Sequence, residues 1–367
     1  MVKSIDLCPE IRNIPHPTMS QVVITITKEV ESEILRQASG RVDEHIVEVT
    51  AKDGQKISIV GAKKGGVEGG AIVSLQNRTS AVLSDTSVVQ GSAIETKYVA
   101  KVMYRDDNVK GKQYYVPNAK SKLRAWYGRK TRDEINISVM QEFAALRLAR
   151  IINPEVVPDA RLGRVEEKDG KGRFFLMTEL AGQKEGETFQ TLDKYFSGSE
   201  DHDAKISKEM WKFAFAISVG LLNDQDVNKG DNIGVVSDST GNKRMCLFDL
   251  GHPTPDKFKL DPNTFLPKST NLLADLLLWV INIFVSANNL PWTFTMVPDV
   301  EKQLSPEERK EALAAVLGKK GEILQELDSI IQELDNDPVS QQAIQDLKVS
   351  IENRMEYLQK LLHPVVS

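Results

Sequence analysis

Apolar and polar positions alternate along "HIVEVTAKDGQKISIVG" (45–61). The alternation turns over at Asp53-Gly54, so the segment predicts a β-hairpin. "SAVLSD" (80–85) and "ETKYVAKVMY" (95–104) predict further strands. "VVPDARLGRVEEKDGKGRFFLMTELAG" (156–182) predicts a second hairpin, turning at Asp169-Gly170. Between these strands the period changes. "ISVMQEFAALRLARII" (137–152) puts Val139, Phe143, Leu146 and Ala149 at helical spacing.

From about residue 183 the helical period prevails. "KEMWKFAFAISVGLL" (208–222) predicts a buried helix, and "NIGVVSDSTGNKRMCLFDLG" (232–251) a hairpin turning at Ser239–Asn242. "NLLADLLLWVINIFVSANNL" (271–290) is interrupted by Asp275. Its apolar run is too short to cross a bilayer and predicts a core helix. Ser305 and Glu308 form a capping-box pattern ahead of a stripe of Ile323, Leu324, Leu327, Ile330, Ile331 and Leu334. Asp337-Pro338 ends that stripe, and a last helix carries Ile344, Leu347, Ile351, Met355, Leu358 and Leu362.

A strand-rich beginning with one helix inside it, followed by a helix-rich remainder holding one hairpin, predicts an α+β chain of two lobes with a cleft between them. The expected units are a strand-rich extension (1–79), an N-lobe (80–182) with a basic insertion at 105–134, a C-lobe (183–300) and C-terminal helices packed on it (301–367).

Composition narrows the picture. The 367 residues are 41% hydrophobic and 27% charged, an ordinary globular balance. A net charge of −5 argues against a general nucleic-acid binder. Cys8 and Cys246 cannot make a disulfide framework, which suits a reducing, cytoplasmic site of action. The first residues lack the apolar run of a cleaved signal, and the five histidines lack metal-ligand spacing.

The candidate chemistry lies in "LLNDQDVNKGDNIGVV" (221–236), where three aspartates and three asparagines crowd into a loop. Turn and cap formation is one reading of such residues. A calcium loop fails, because its sixth position is Lys229 rather than Gly and its twelfth is Val235 rather than Glu. Phosphoryl transfer fits better. It needs a carboxylate to orient the attacking hydroxyl, and oxygen ligands for a metal held against the phosphates. Asp226 follows a helix, Asn232 opens a hairpin, and Asp249-Leu250-Gly251 closes it, the order of parts that kinases use. That reading asks for a strand lysine upstream and a glutamate on the next helix. Lys101 in "KYVAKVMY" and Glu142 in "MQEFAALRLA" meet the request. Glu179, Leu180 and Ala181, after the apolar strand "RFFLMT", suit a segment offering backbone groups to adenine.

"QEFAALRLARII", "PDARL", "DVNKGDNIGV" and "FDLGH" make residues 80–290 resemble the protein-kinase superfamily. The nearer likeness is to its phosphoinositide-4-kinase-like and HipA-like members, and above all to secreted Legionella effector kinases, one of them activated by inositol hexakisphosphate. The resemblance implies a bilobal fold, ATP with Mg2+ or Mn2+, and, if it extends to the effectors, delivery to a host-cell cytosol. It assigns roles to Lys101, Glu142, Asp226, Asn232 and Asp249. The chain departs from the conventional pattern. No HRD precedes Asp226, and the Asp226-to-Asn232 spacing is one residue long. Asp231 therefore shares the claim to the metal with Asn232, and Asp224 shares the claim to the base. "SDTSVVQGSAIET" (84–96) offers only Gly91 to a phosphate-covering loop, and the richer "GAKKGGVEGG" is far from Lys101 along the chain.

Between residues 101 and 132 there are ten basic residues and two acidic ones, with Tyr114, Tyr115, Trp126 and Tyr127 interleaved. A solvated basic surface, single-stranded nucleic acid and an anionic membrane surface are three readings. A polyphosphate pocket is the fourth and the one the resemblance favours. It would be built from Lys110, Lys112, Lys120, Lys122, Arg124, Arg129, Lys130 and Arg132, with inositol hexakisphosphate as the candidate activator. The expected activity is an ATP-dependent protein Ser/Thr kinase. A lipid or small-molecule kinase and a nucleotide-binding pseudokinase that serves as an interaction module are the alternatives.

Overall fold

A computed structural model describes residues 23–38, 47–50, 56–62, 70–77, 94–101, 114–115, 129–166, 172–192, 194–195, 207–222, 232–251, 253, 255, 259–266, 303–334 and 337–364. The fold is mixed α+β, with six α-helices and twelve strands among these residues. In chain order they are β1 (Val23–Ile26), α1 (Lys28–Ala38), β2 (Val47–Thr50), β3 (Lys56–Ala62), β4 (Gly70–Asn77), β5 (Ile94–Lys101), β6 (Tyr114–Tyr115) and β7 (Arg129–Lys130). Then follow α2 (Arg132–Ile152), β8 (Ala160–Glu166), β9 (Gly172–Glu179), β10 (Thr188–Thr191), α3 (Lys208–Phe215), β11 (Ile233–Ser237), β12 (Lys243–Leu247), α4 (Pro306–Gly318), α5 (Lys320–Glu333) and α6 (Pro338–Leu362).

Seven strands form one sheet in the order β1-β8-β9-β5-β4-β3-β2. Six of them pair antiparallel, and β1 joins the edge parallel to β8. Alternation along the strands gives the sheet two buried faces. On one face Ile57, Ile59, Val73, Leu75, Tyr98, Ala100, Phe175 and Met177 pack with Val30 and Ile34 of α1. On the other, Leu162, Phe174 and Leu176 pack with Val139, Phe143, Leu146 and Ala149 of α2, in a core that continues into α3–α6. The predicted α2 stripe is therefore the buried face of that helix. Thr131 and Glu134 fix its start as a capping box.

Both predicted hairpins of the large sheet form, β2–β3 and β8–β9, as does β11–β12 downstream. Three elements correct the sequence reading. Helix α1 lies in a region read as strands and turns; its two buried apolar residues one turn apart are too few to announce a helix. Strand β10 lies in the region read as helical and pairs with β11 to make a three-stranded sheet. The helical segment that starts at Ser305 divides into α4 and α5 at Gly318–Lys319, and the Ile323–Leu334 stripe falls on α5 and its C-cap. The proposed strand at 80–85 and the helix at 271–290 fall outside the described residues. No helix among the described residues is long and apolar enough to cross a membrane.

The C-terminal helix α6 ties these parts together. Its N-cap Asp337 accepts from Asn136 of α2 at 3.5 Å. Farther along, buried Arg354 donates to the carbonyls of Gly220 (3.1 Å) and Val219 (2.6 Å), in the π-helical segment Ala216–Leu221 that extends α3. The last carbonyls of a helix find no donor within it, and the guanidinium serves these two.

Candidate functional site

Lys101 ends β5, where alternation turns it away from Tyr98 and Ala100 and toward α2. Its ammonium is buried and forms an ion pair with the buried Glu142 carboxylate. Glu142 shares α2 with Val139 and Phe143, whose burial fixes the rotation of the helix and so aims the carboxylate at the sheet. The Asp249 Oδ1 lies 3.5 Å from the Lys101 ammonium, on a side chain that is 40% exposed. A Cβ added at Gly251 would stand 3.5 Å from the same oxygen and 3.8 Å from Glu142 Oε2, so Gly251 borders the cluster. One cation thus faces two carboxylates, one enclosed and one open to solvent.

The hairpin register explains how Asp249 arrives there. Ile233 pairs with Leu247, which sets Asn232 beside Phe248 at the same end of the hairpin. The Phe248 N–H donates to the Asn232 carbonyl at 3.5 Å. Asn232 and Asp249, both expected as metal ligands, are therefore neighbours. Oxygen donors of this kind suit Mg2+ or Mn2+. Asp226, Asp224 and Asp231 lie outside the described residues.

At the far end of β9 the chain leaves the sheet through Glu179, Leu180 and Ala181. The Leu180 N–H donates to the Lys97 carbonyl and the Glu179 N–H to the Asp159 carbonyl, each at 2.8 Å. The Glu179 carboxylate accepts from the Asp159 N–H (3.2 Å) and the Gln183 amide (3.1 Å). Gln183 in turn accepts from the Lys97 N–H at 2.8 Å. These bonds hold the segment straight while the Ala181 N–H forms no hydrogen bond with the described residues.

Thr178 is a residue the sequence reading passed over. It shares a face of β9 with Phe174 and Leu176, the face of Lys101. Its hydroxyl is buried and has no hydrogen-bond partner among the described residues. A buried hydroxyl without a partner is costly, and a bound molecule with a polar edge would supply one. The signal in sequence was a lone threonine in an apolar strand, which β-propensity alone also explains. Cys246 is poorly suited to act as a nucleophile: burial, reinforced by the Glu179 and Glu187 carboxylates against the pull of Arg244, pushes its thiol up to about 12.

The register also bears on which glycine-rich segment leads to Lys101. Gly70 pairs with Lys101, while Asn77 pairs with Ile94. The connector that includes "GAKKGGVEGG" therefore meets the sheet at the Lys101 end. The 84–96 stretch holding Gly91 leads into the opposite end of β5, seven residues or about 23 Å from Lys101. Separation along the chain does not measure distance here, because a hairpin returns its strand to the same place. Gly91 itself is outside the described residues.

Of the basic segment, β6 and β7 pair through Tyr114 with Lys130 and Tyr115 with Arg129. Arg132 opens α2 and lies 3.5 Å from Asp133. Lys110, Lys112, Lys120, Lys122 and Arg124 are outside the described residues. The chain matches no protein-family model and no curated protein.

Proposed function

We propose that the chain is an atypical, bilobal, ATP-dependent kinase that transfers the terminal phosphoryl group to a protein Ser/Thr hydroxyl. The observation that carries this reading is Lys101 held between an enclosed Glu142 and a solvent-open Asp249, where the glycine-rich connector meets the sheet. A buried lysine paired to one glutamate has its charge fixed in place; a second, exposed carboxylate beside it is what a metal-bridged phosphate needs. In this reading Lys101 binds nucleotide phosphates and Glu142 positions it. Asp249 and Asn232 (or Asp231) are the metal ligands, and Asp226 (or Asp224) orients the acceptor hydroxyl. A bound Mg2+ or Mn2+ would neutralise charge on the transferring phosphoryl group. The Ala181 N–H and the Thr178 hydroxyl suit the polar edge of a purine. The basic segment 105–134 is the proposed seat of an inositol polyphosphate activator.

The test is incubation with radiolabelled ATP and Mn2+, with and without inositol hexakisphosphate, comparing the wild type with Asp249→Ala. Label on protein that disappears in the variant is expected. Label on lipid would move the acceptor to another class. Nucleotide binding with no transfer under either condition would overturn the enzymatic reading. A thermal shift with inositol hexakisphosphate at physiological salt separately tests the activator.

A further inference from the structure

Phe189 is one of two large apolar side chains left exposed among the described residues, at 38%. It is also the best explained by what surrounds it. β10 pairs with β11 so that Phe189 faces Val236, and Gly234 lies two residues along on the same face. A Cβ added at Gly234 would overlap the Phe189 ring, so the ring occupies the space a side chain at 234 would fill. The ring packs edge-on against Phe248, the residue before Asp249, with centroids 5.6 Å apart and planes at 70°. Its backbone abuts Gly182, which has a φ of +71° and whose added Cβ would meet Phe189 Cβ at 2.9 Å. The glycine is required there twice, by its backbone angle and by the closeness of β10.

The ring is thus wedged between the segment that leaves β9 and the hairpin end that carries Asn232 and Asp249. The opposite face of the three-stranded sheet, with Ile233, Val235, Met245 and Leu247, is sealed in the main core. The Phe189 face looks the other way, with Cys246 on it opposite Gly234.

A length argument places a ligand against it. Lys101 pairs with Leu176 on β9, and Tyr98 pairs with Glu179. Three residues of strand, about 10 Å, separate the ammonium from the Glu179 level. A molecule with phosphates at Lys101 therefore brings its other end to Thr178, Ala181 and the Phe189 ring. We propose that Phe189, reaching across from β10 into the space left by Gly234, is the platform on which the nucleotide base packs, and so a specificity-determining residue of the site. The inference rests on the nucleotide-binding reading above. It adds that base recognition is lent by a neighbouring strand instead of by β11 itself.

The test measures binding of ATP, GTP and inorganic tripolyphosphate by titration calorimetry to the full chain in Mn2+. Four proteins are compared: wild type, Phe189→Ala, Phe189→Leu, and Phe189→Ala with Gly234→Leu. Loss of an aromatic platform weakens ATP by about tenfold or more. Tripolyphosphate, which has no base, binds Phe189→Ala as it binds wild type. Phe189→Leu keeps most of the affinity. The double variant, which rebuilds the apolar surface from β11, recovers part of it and shifts the ATP-to-GTP ratio. Unchanged ATP binding by Phe189→Ala would overturn the inference, as would an equal loss of ATP and tripolyphosphate. Wild-type protein that binds neither ligand would instead remove the nucleotide reading on which the inference stands.

Discussion

The large sheet buries a salt bridge on each face, and the two are built for different ends. On the α1 face Arg173 of β9 meets Glu31 at 2.6 Å, with side chains 7% and 6% exposed. On the α2 face Lys101 of β5 meets Glu142, with side chains 8% and 2% exposed. Burial and pairing are alike. The surroundings differ: the first pair bridges strand and helix within an apolar layer, whereas the second stands 3.5 Å from an aspartate that water reaches. A buried pair alone says little about purpose, because desolvation offsets most of its attraction. What sets the second apart as a candidate site is the third, exposed charge.

Substitutions within the two pairs test that contrast. The largest effect on folding comes from breaking either pair. Arg173→Met takes the Arg173 cation from buried Glu31, and Glu142→Gln takes the enclosed carboxylate from Lys101 and leaves it the half-open Asp249; the first costs about 3–5 kcal/mol in urea unfolding and the second less. The pairs separate when both partners are replaced. Arg173→Met with Glu31→Leu regains the lost stability and keeps the proposed phosphoryl transfer. Lys101→Met with Glu142→Leu regains stability and has no transfer. Equal activity of the two double variants would erase the distinction.

Asp249→Asn is next. It removes a charge from a half-open position, so unfolding free energy changes by less than about 0.5 kcal/mol. Transfer falls on the order of 10²–10³-fold, the loss expected when one group aimed at developing charge is removed. A variant that unfolds as readily as Arg173→Met would show Asp249 to be structural instead.

Asn136 gives a smaller effect on the α2 face. Its amide donates to the Gly172 carbonyl (3.0 Å) and its oxygen accepts from the Phe174 N–H (3.1 Å), tying α2 to β9 two turns before Glu142. Asn136→Ala strands two buried backbone groups and costs about 1–3 kcal/mol. If α2 is held by this bond, transfer weakens as well, and the Arg173–Glu31 face is untouched.

Local periodicity made the α2 stripe, the three hairpins and the Ser305 capping box legible, because each depends on residues a few positions apart. The charged triangle was legible as separate residues: Lys101 as a cation in an apolar strand, Glu142 beside buried positions, Asp249 at a hairpin end. Their meeting depends on strand register, which sequence spacing does not encode, and the same ignorance favoured Gly91 over the 61–71 connector. Thr178 and Phe189 stayed hidden for another reason. Each is an ordinary residue for a strand, and only an unpartnered hydroxyl or a ring over a glycine makes it informative.

The smallest effect lies on the surface and bounds the others. Glu308, in the capping box of α4, accepts from the Ser305 N–H at 2.8 Å and from Lys208 of α3 at 3.2 Å. Those two contacts, the backbone bond first, lower the pKa of this exposed carboxyl. A carboxyl whose folded pKa is depressed adds stability that is fully present above the ordinary glutamate value and is lost as pH falls through the folded one. Urea midpoints of wild type and Glu308→Gln therefore differ slightly at about pH 6 and converge as pH falls through the depressed folded value. The wild type is the more stable protein at the higher pH. The gap stays well below that of Arg173→Met, because an exposed pair keeps little of its attraction in water. A gap as large as that of the buried pair would mean that the helical half is held by its surface charges, and the contrast between enclosed and open pairs would lose its basis.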